Sequence, residues 1–290
     1  MPSSLSSSAQ AARERLGEQL RKIRTDARIN GVEFARRAGW RDSSLVSRTE
    51  RGQRPITAET VKLWCRLCDV PDQQTAELLA EQANVARTWI SLREHHELGL
   101  DARQKATVGD LHSRVVSELS YQTKLVHGLL QTEDYMTQVL RGVRRDRRLK
   151  QDDVPQAVAT RMARQRNLHR PGSRWAFLLE EAVLRYQYFP ADVHRAQLDY
   201  LSEAMRLPAV SIGIIPTEGR RHGVRVRESF AISTFADGTQ VRVELLSGML
   251  TLTHPEDITL YRRAWDDLVA LAVTGDTARA LISAARDSLV

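Results

Sequence analysis

The chain has 290 residues, 42% of them hydrophobic and 27% charged, with a formal net charge of +7. That is enough for about two ordinary domains of globular composition. No apolar run approaches the ~18 residues of a membrane span, and Met1–Ser8 has neither the basic start nor the apolar stretch of a secretory signal, so a cytoplasmic protein is expected.

The charge is uneven. The first 70 residues hold 14 Lys/Arg against 8 Asp/Glu, and the remainder holds 29 against 28. A basic head on a nearly neutral body fits a head that meets nucleic acid and a body with another task.

Residues 1–12 read as a disordered tail. From residue 13 the spacing of Leu16, Leu20, Ile23 and Ala27 predicts an amphipathic helix with arginines between its apolar positions. Asn30 is placed to cap a second helix with Phe34, Ala35 and Ala38 inward, and Gly39 supplies the turn after it. Asp42 is a cap for a third helix that turns Leu45, Val46 and Thr49 to the core and ends at Gly52. This leaves Ser43, Ser44, Ser47, Arg48 and Arg51 outward or at its start. Short hydroxyls let a helix sit near a groove floor, and arginine reaches guanine or phosphate. Arg41, Gln53 and Arg54 flank the same segment, and Gln53, Arg54 and the helix capped by Thr57 could clamp the adjacent backbone. Together these cues predict a helix-turn-helix over 13–70, with double-stranded DNA as partner.

Cys65 and Cys68 form a Cys-x-x-Cys pair with no second pair to complete a zinc site, and the histidines offer no ligand spacing. The pair lies in an apolar helical stretch, so buried reduced thiols are expected rather than redox chemistry or a metal.

Residues 13–70 resemble the Xre/Cro type of helix-turn-helix domain. The resemblance rests on Phe34-Ala-Arg-Arg-Ala-Gly39 and Val46-Ser-Arg-Thr-Glu-Arg-Gly52. Thr49 stands where that family usually has isoleucine, and Trp40–Ser43 is one residue longer than its commonest turn.

Residues 71–120 read as a helical bridge. Pro71 stops the helix before it, and Leu78, Leu79, Val85, Trp89 and Leu92 form a rough stripe. A break is expected over Glu94–Asp101 at Gly99, then a helix carrying Leu111, Val115, Val116 and Leu119. Such a bridge could be a dimerisation surface or pack within one chain.

Residues 121–290 read as an α+β domain. Thr132 is placed to cap a helix whose first turn is acidic, Glu133-Asp134. Arg141–Lys150, six basic residues against one acid, reads as a solvated charge run, with direct DNA contact the alternative. A basic helix over Ala157–Leu168 stops near Pro171-Gly172. The period then changes: Trp175–Glu180 and Val210–Pro216 read as strands, and Phe230–Phe235, Asp237-Gly238 and Gln240–Leu245 as a hairpin. A helix is expected over 190–206, and two more over 255–273 and 277–289, capped by His254-Pro255 and by Asp276 or Thr277. The fold class is mainly α with an α+β C-terminal domain: an all-helical head, a helical bridge, then a small mostly antiparallel sheet packed with helices.

Leu125-Val-His-Gly-Leu-Leu-Gln-Thr-Glu-Asp-Tyr135 resembles the signature of actinobacterial WhiJ-like regulators, as do Leu179–Arg185 and Phe235–Gly238. His127 stands where proline is common. The resemblance implies a cytoplasmic transcription regulator whose C-terminal domain meets a small partner protein encoded nearby, and it is sometimes described as antitoxin-like.

Nucleophile elbows, glycine-rich phosphate loops and metal-ligand spacings are absent, so no enzyme and no cofactor is expected. Two readings of the body stand: a platform for the partner protein, or a small-ligand sensor with Trp175, Tyr186, Tyr188 and Phe189 as walls. Either serves a homodimer reading two half-sites.

Overall fold

The computed structural model describes residues 7–54, 56–91, 99–101, 111–246 and 248–289. The chain divides into two compact units, 1–90 and 91–290.

The first unit holds five helices: α1 (Ser7–Asp26), α2 (Gly31–Arg37), α3 (Ser44–Glu50), α4 (Ala58–Leu67) and α5 (Asp72–Thr88). α1 starts at Ser7, inside the stretch expected to be a disordered tail. Leu16, Leu20, Phe34, Val46, Val61 and Trp64 form the centre of its core. Ala27, expected on the buried face of α1, is exposed, because the helix ends one residue earlier and the chain turns through Arg28 at φ 56. α5 runs unbroken to Thr88, so Trp89 lies in the short strand β1 (Trp89–Ser91) and not on the helical stripe. Leu92 and most of the expected break at Glu94–Asp101 fall outside the described residues.

In the second unit the helix expected over Leu111–Leu119 is a single turn, α6 (Leu111–Arg114), followed by strand β2 (Ser117–Gln122). The apolar residues matched a helical spacing, but the stretch also carries Val115-Val116 and alternating Glu118 and Ser120. Pairing with strands on both sides settles it as sheet. After β2 come α7 (Glu133–Asp146), α8 (Val154–Arg164), β3 (Arg174–Glu180), α9 (Glu181–Arg185) and α10 (Ala191–Ala204). Then follow β4 (Val210–Ile215), β5 (Phe230–Phe235), β6 (Gly238–Leu245), β7 (Gly248–Leu252), α11 (Pro255–Val269) and α12 (Gly275–Asp287).

Six of these strands lie in the order β7-β6-β5-β2-β3-β4. The pairs β2–β3 and β3–β4 are parallel, and β2–β5, β5–β6 and β6–β7 are antiparallel. The sheet is therefore mixed, with helical crossovers carrying the parallel half and hairpins the other. The hairpin that Asp237-Gly238 signalled does form between β5 and β6, but its two turn residues are Ala236 and Asp237, and Gly238, at φ 155, already pairs with Phe235 as the first residue of β6.

Thr132 and His254 cap α7 and α11 as expected, each accepting a backbone N–H. α12 begins at Gly275, with Thr274 at its N-cap in place of the expected Asp276 or Thr277. The strand β7 was not foreseen. The main core gathers Trp175, Phe177 and Leu179 of β3, Ile212 and Ile214 of β4, Leu198 and Leu201 of α10 and Ile282 of α12. No helix among the described residues is long and apolar enough to cross a membrane.

Candidate nucleic-acid interface

Asn30 accepts the Glu33 N–H at 2.9 Å and starts α2, and Gly39, at φ 69, takes the left-handed turn that follows it. The Asp42 carboxylate accepts the N–H of Ser44, the first residue of α3, so the expected cap residue does bond the helix start, although Ser43 holds the N-cap position.

α3 is held by its inner face. Val46 and Thr49 are buried, and the Thr49 hydroxyl donates to the Leu45 carbonyl at 2.8 Å. A threonine therefore fills an apolar position without leaving a polar atom unmet. Leu45, expected inward, is only half-buried.

A contact not foreseen closes the last turn. Glu50 is buried and takes two hydrogen bonds from Arg24 of α1, at 2.6 and 3.0 Å, while Arg24 also donates to the Ile29 carbonyl at 2.7 Å. The bond to Glu50 is the main reason that the guanidinium pKa is raised above its ordinary value. The sequence signal was a Glu in the last turn of a short helix and an Arg on the far end of the first, a pairing no local spacing reveals. Two glycines permit the approach. A Cβ on Gly17 would sit 2.4 Å from the Glu50 carbonyl oxygen, and one on Gly52, at φ 63, would lie 2.8 Å from the Glu14 nitrogen.

The outer surface of α3 carries two stripes. Ser43, Ser47 and Arg51 line an open cleft with Arg21 of α1 and the first turn of α2. Ser44 and Arg48 lie on the adjacent exposed stripe, where Arg48 folds back on the Ser44 hydroxyl at 3.1 Å. Arg51 donates to the Ser47 carbonyl at 3.2 Å. Both guanidiniums must release these weak exposed bonds to meet a ligand, a small cost.

Arg41 and Gln53 are exposed beside the helix. Arg54 sits differently from the expectation of a free phosphate clamp: its guanidinium lies 5.5 Å from the Trp40 ring centroid. Trp40 in turn packs edge-on against Phe34 and Trp64, so Arg54 is tethered to the aromatic centre of the unit. Cys65 is buried on α4 and Cys68, at the helix C-cap, is half-buried, both as free thiols. Burial, and Cys65 beside it, push the Cys68 thiol up to about 11, which leaves it protonated at neutral pH.

The four residues expected as ligand walls are not gathered into one wall. Trp175, at the start of β3, is fully buried and bonds the Ser173 hydroxyl through its indole N–H at 3.0 Å. Tyr186, Tyr188 and Phe189 follow α9, beyond the other end of that strand. There Tyr186 and Tyr188 are exposed and stack with ring centroids 5.4 Å apart, while Phe189 packs on Tyr135.

The second unit buries a polar cluster that the sequence reading missed. Glu118 of β2 has an essentially inaccessible side chain, accepting from Ser233 at 2.6 Å and from Arg242 at 3.0 Å. His127 and His112 stand 3.6 and 4.0 Å from its other oxygen. Burial acts to raise the Glu118 pKa, but the charges facing it, Arg242 foremost, outweigh that and hold it at about 2. Burial lowers His112 to about 3 and His127 to about 4. Glu180 is occupied too, by Tyr121 at 2.6 Å and by both terminal nitrogens of Arg221. Among the described residues no group of His, Cys, Asp and Glu is arranged to hold a metal ion.

A bundle with this turn, cap and exposed helix is that of a helix-turn-helix DNA-binding regulator, and residues 15–78 match a helix-turn-helix domain model. The chain belongs to the DUF5753 family, a domain of unknown function whose model covers residues 106–284. No curated protein and no solved structure matches it.

Proposed function

We propose that the chain is a sequence-specific transcriptional regulator that binds operator half-sites as a homodimer. The supporting observation is α3: buried Val46, Thr49 and Glu50 fix its inner face, while Ser43, Ser44, Ser47, Arg48 and Arg51 stand on its outer side. Arg48 reads base edges, Arg51 and Arg41 meet the backbone, and the serines let the helix lie close to the groove floor. A seven-residue helix touches few base pairs, so two copies are needed for useful specificity. On this reading the protein is cytoplasmic and has no catalytic role of its own.

The second unit serves control, through a small partner protein encoded nearby and in the manner of WhiJ-like or antitoxin-like regulators. Two exposed tyrosines, Tyr186 and Tyr188, favour a protein partner over an enclosed ligand, because such rings are enriched where proteins meet. The small-ligand reading loses support with Trp175 sealed in the core.

The deciding experiment is selection of duplexes from a random pool by the full chain, followed by footprinting with and without the neighbouring gene's product. A protected inverted repeat, altered by the partner, is expected. Binding with no sequence preference would overturn the regulator reading, and a footprint indifferent to the partner would remove the partner from it.

A further inference from the structure

Among the described residues of the helix-turn-helix, one large apolar side chain is exposed. Val32, the second residue of α2, is 70% exposed and borders the cleft that Ser43, Ser47 and Arg51 line from α3. Its neighbours are committed elsewhere. The Asn30 side chain accepts the Glu33 N–H, and the Glu33 carboxylate takes three bonds from Arg36 and Arg37. A single exposed valine needs no explanation in itself. This one is set among the hydroxyl and guanidinium groups with which α3 lines that cleft.

The apolar group that the major groove offers is the C5 methyl of thymine. We propose that Val32 packs on a thymine methyl, so that α2 contributes sequence readout beside α3. This rests on the DNA-binding reading above and adds to it a residue and a base. The other apolar partner near a groove, deoxyribose carbon, carries no base identity. Contact with it would leave Val32 indifferent to which base is present.

The test uses the full chain and the operator recovered by selection. Each thymine is replaced singly by deoxyuridine, which keeps every hydrogen-bonding group and removes only the methyl, and each duplex is titrated with the native chain and with Val32→Ala. At one position the loss of the methyl weakens the native chain roughly fourfold, the worth of one buried carbon. Val32→Ala weakens binding to the thymine duplex by roughly fourfold to tenfold, but shows no further loss when that same thymine is already deoxyuridine. Val32 is exposed, so the variant folds, and its circular dichroism should match the native chain. Unchanged affinity of Val32→Ala, or losses that multiply at every position, would overturn the proposal while leaving the regulator reading intact. A selection that enriches no sequence would overturn both.

Discussion

At the scale of single residues, the exposed arginines of α3 divide by what restrains them. Arg48 is held by two exposed hydrogen bonds to Ser44, one to its hydroxyl and one to its carbonyl, so little restrains it from turning to a base. Arg48→Ala is expected to cost about 1–3 kcal/mol of specific binding and to relax preference at one base pair. Titration against operator and random duplexes checks it, and equal losses on both would assign Arg48 to the backbone instead. Arg54 is stacked over Trp40, which packs on Trp64. Its replacement should therefore shift the melting temperature of the first unit as well as weaken all duplexes alike. The outward residues of α3 were legible because Val46, Thr49 and the bounding glycines fix the helical phase. The tether on Arg54 was not, because it depends on a ring fourteen positions away whose direction no spacing gives.

At the scale of elements, α1 and α3 meet through atoms that leave no room. Alanine is a better helix former than glycine by about 1 kcal/mol, yet Gly17→Ala should destabilise the first unit by about 1–3 kcal/mol. The added methyl would lie 2.4 Å from the Glu50 carbonyl oxygen, which is backbone and cannot swing aside. Urea unfolding of the native and variant chains measures this, and a stabilised variant would refute the close approach. The pair above that contact behaves as a unit. Glu50→Gln leaves the Arg24 guanidinium buried without its counter-charge and should cost about 3–5 kcal/mol, whereas Arg24→Met with Glu50→Leu recovers most of the loss. The elements themselves were largely readable in the sequence: caps at Asn30, Thr57 and Thr132, the turn at Gly39, the hairpin of β5 and β6 (its turn one residue before Asp237-Gly238), and the periods of α7, β3 and β4 all match. The failures share a cause. Of the apolar residues that suggested a helix only Leu119 lies in β2, whose buried positions include polar Glu118 and Ser120, so only its neighbours β3 and β5, far off in the chain, mark it as a strand. The buried cluster around Glu118 was invisible for the same reason, since His112, His127, Ser233 and Arg242 come together only through the sheet.

At the scale of the whole molecule, that cluster makes the second unit sensitive to acid. Folded His112 and His127 titrate at about 3 and about 4, below the ordinary 6.5, so the unfolded chain takes up their protons first. Stability is complete above pH 6.5 and falls as the pH drops below it, by up to about 1.4 kcal/mol per pH unit for each histidine. Glu118, held at about 2 against an ordinary 4.5, adds a loss of the same sign below pH 4.5. Denaturant melts at pH 7.5, 6.0 and 5.0 should show this slope, and His112→Gln should flatten it. A native chain equally stable at pH 7.5 and 5.0 would contradict the burial of these imidazoles. The dimer predicted for operator binding is checked by sedimentation, where a monomer with full operator affinity would exclude it. One further consequence follows from the burial of Arg24 and Glu50. Dissolved ions weaken contacts with phosphate steeply, by orders of magnitude between about 50 and 200 mM, but they screen a largely buried charge pair much less. Ionic strength therefore becomes a clean dial: raising it should release the duplex while the recognition helix keeps its native posture.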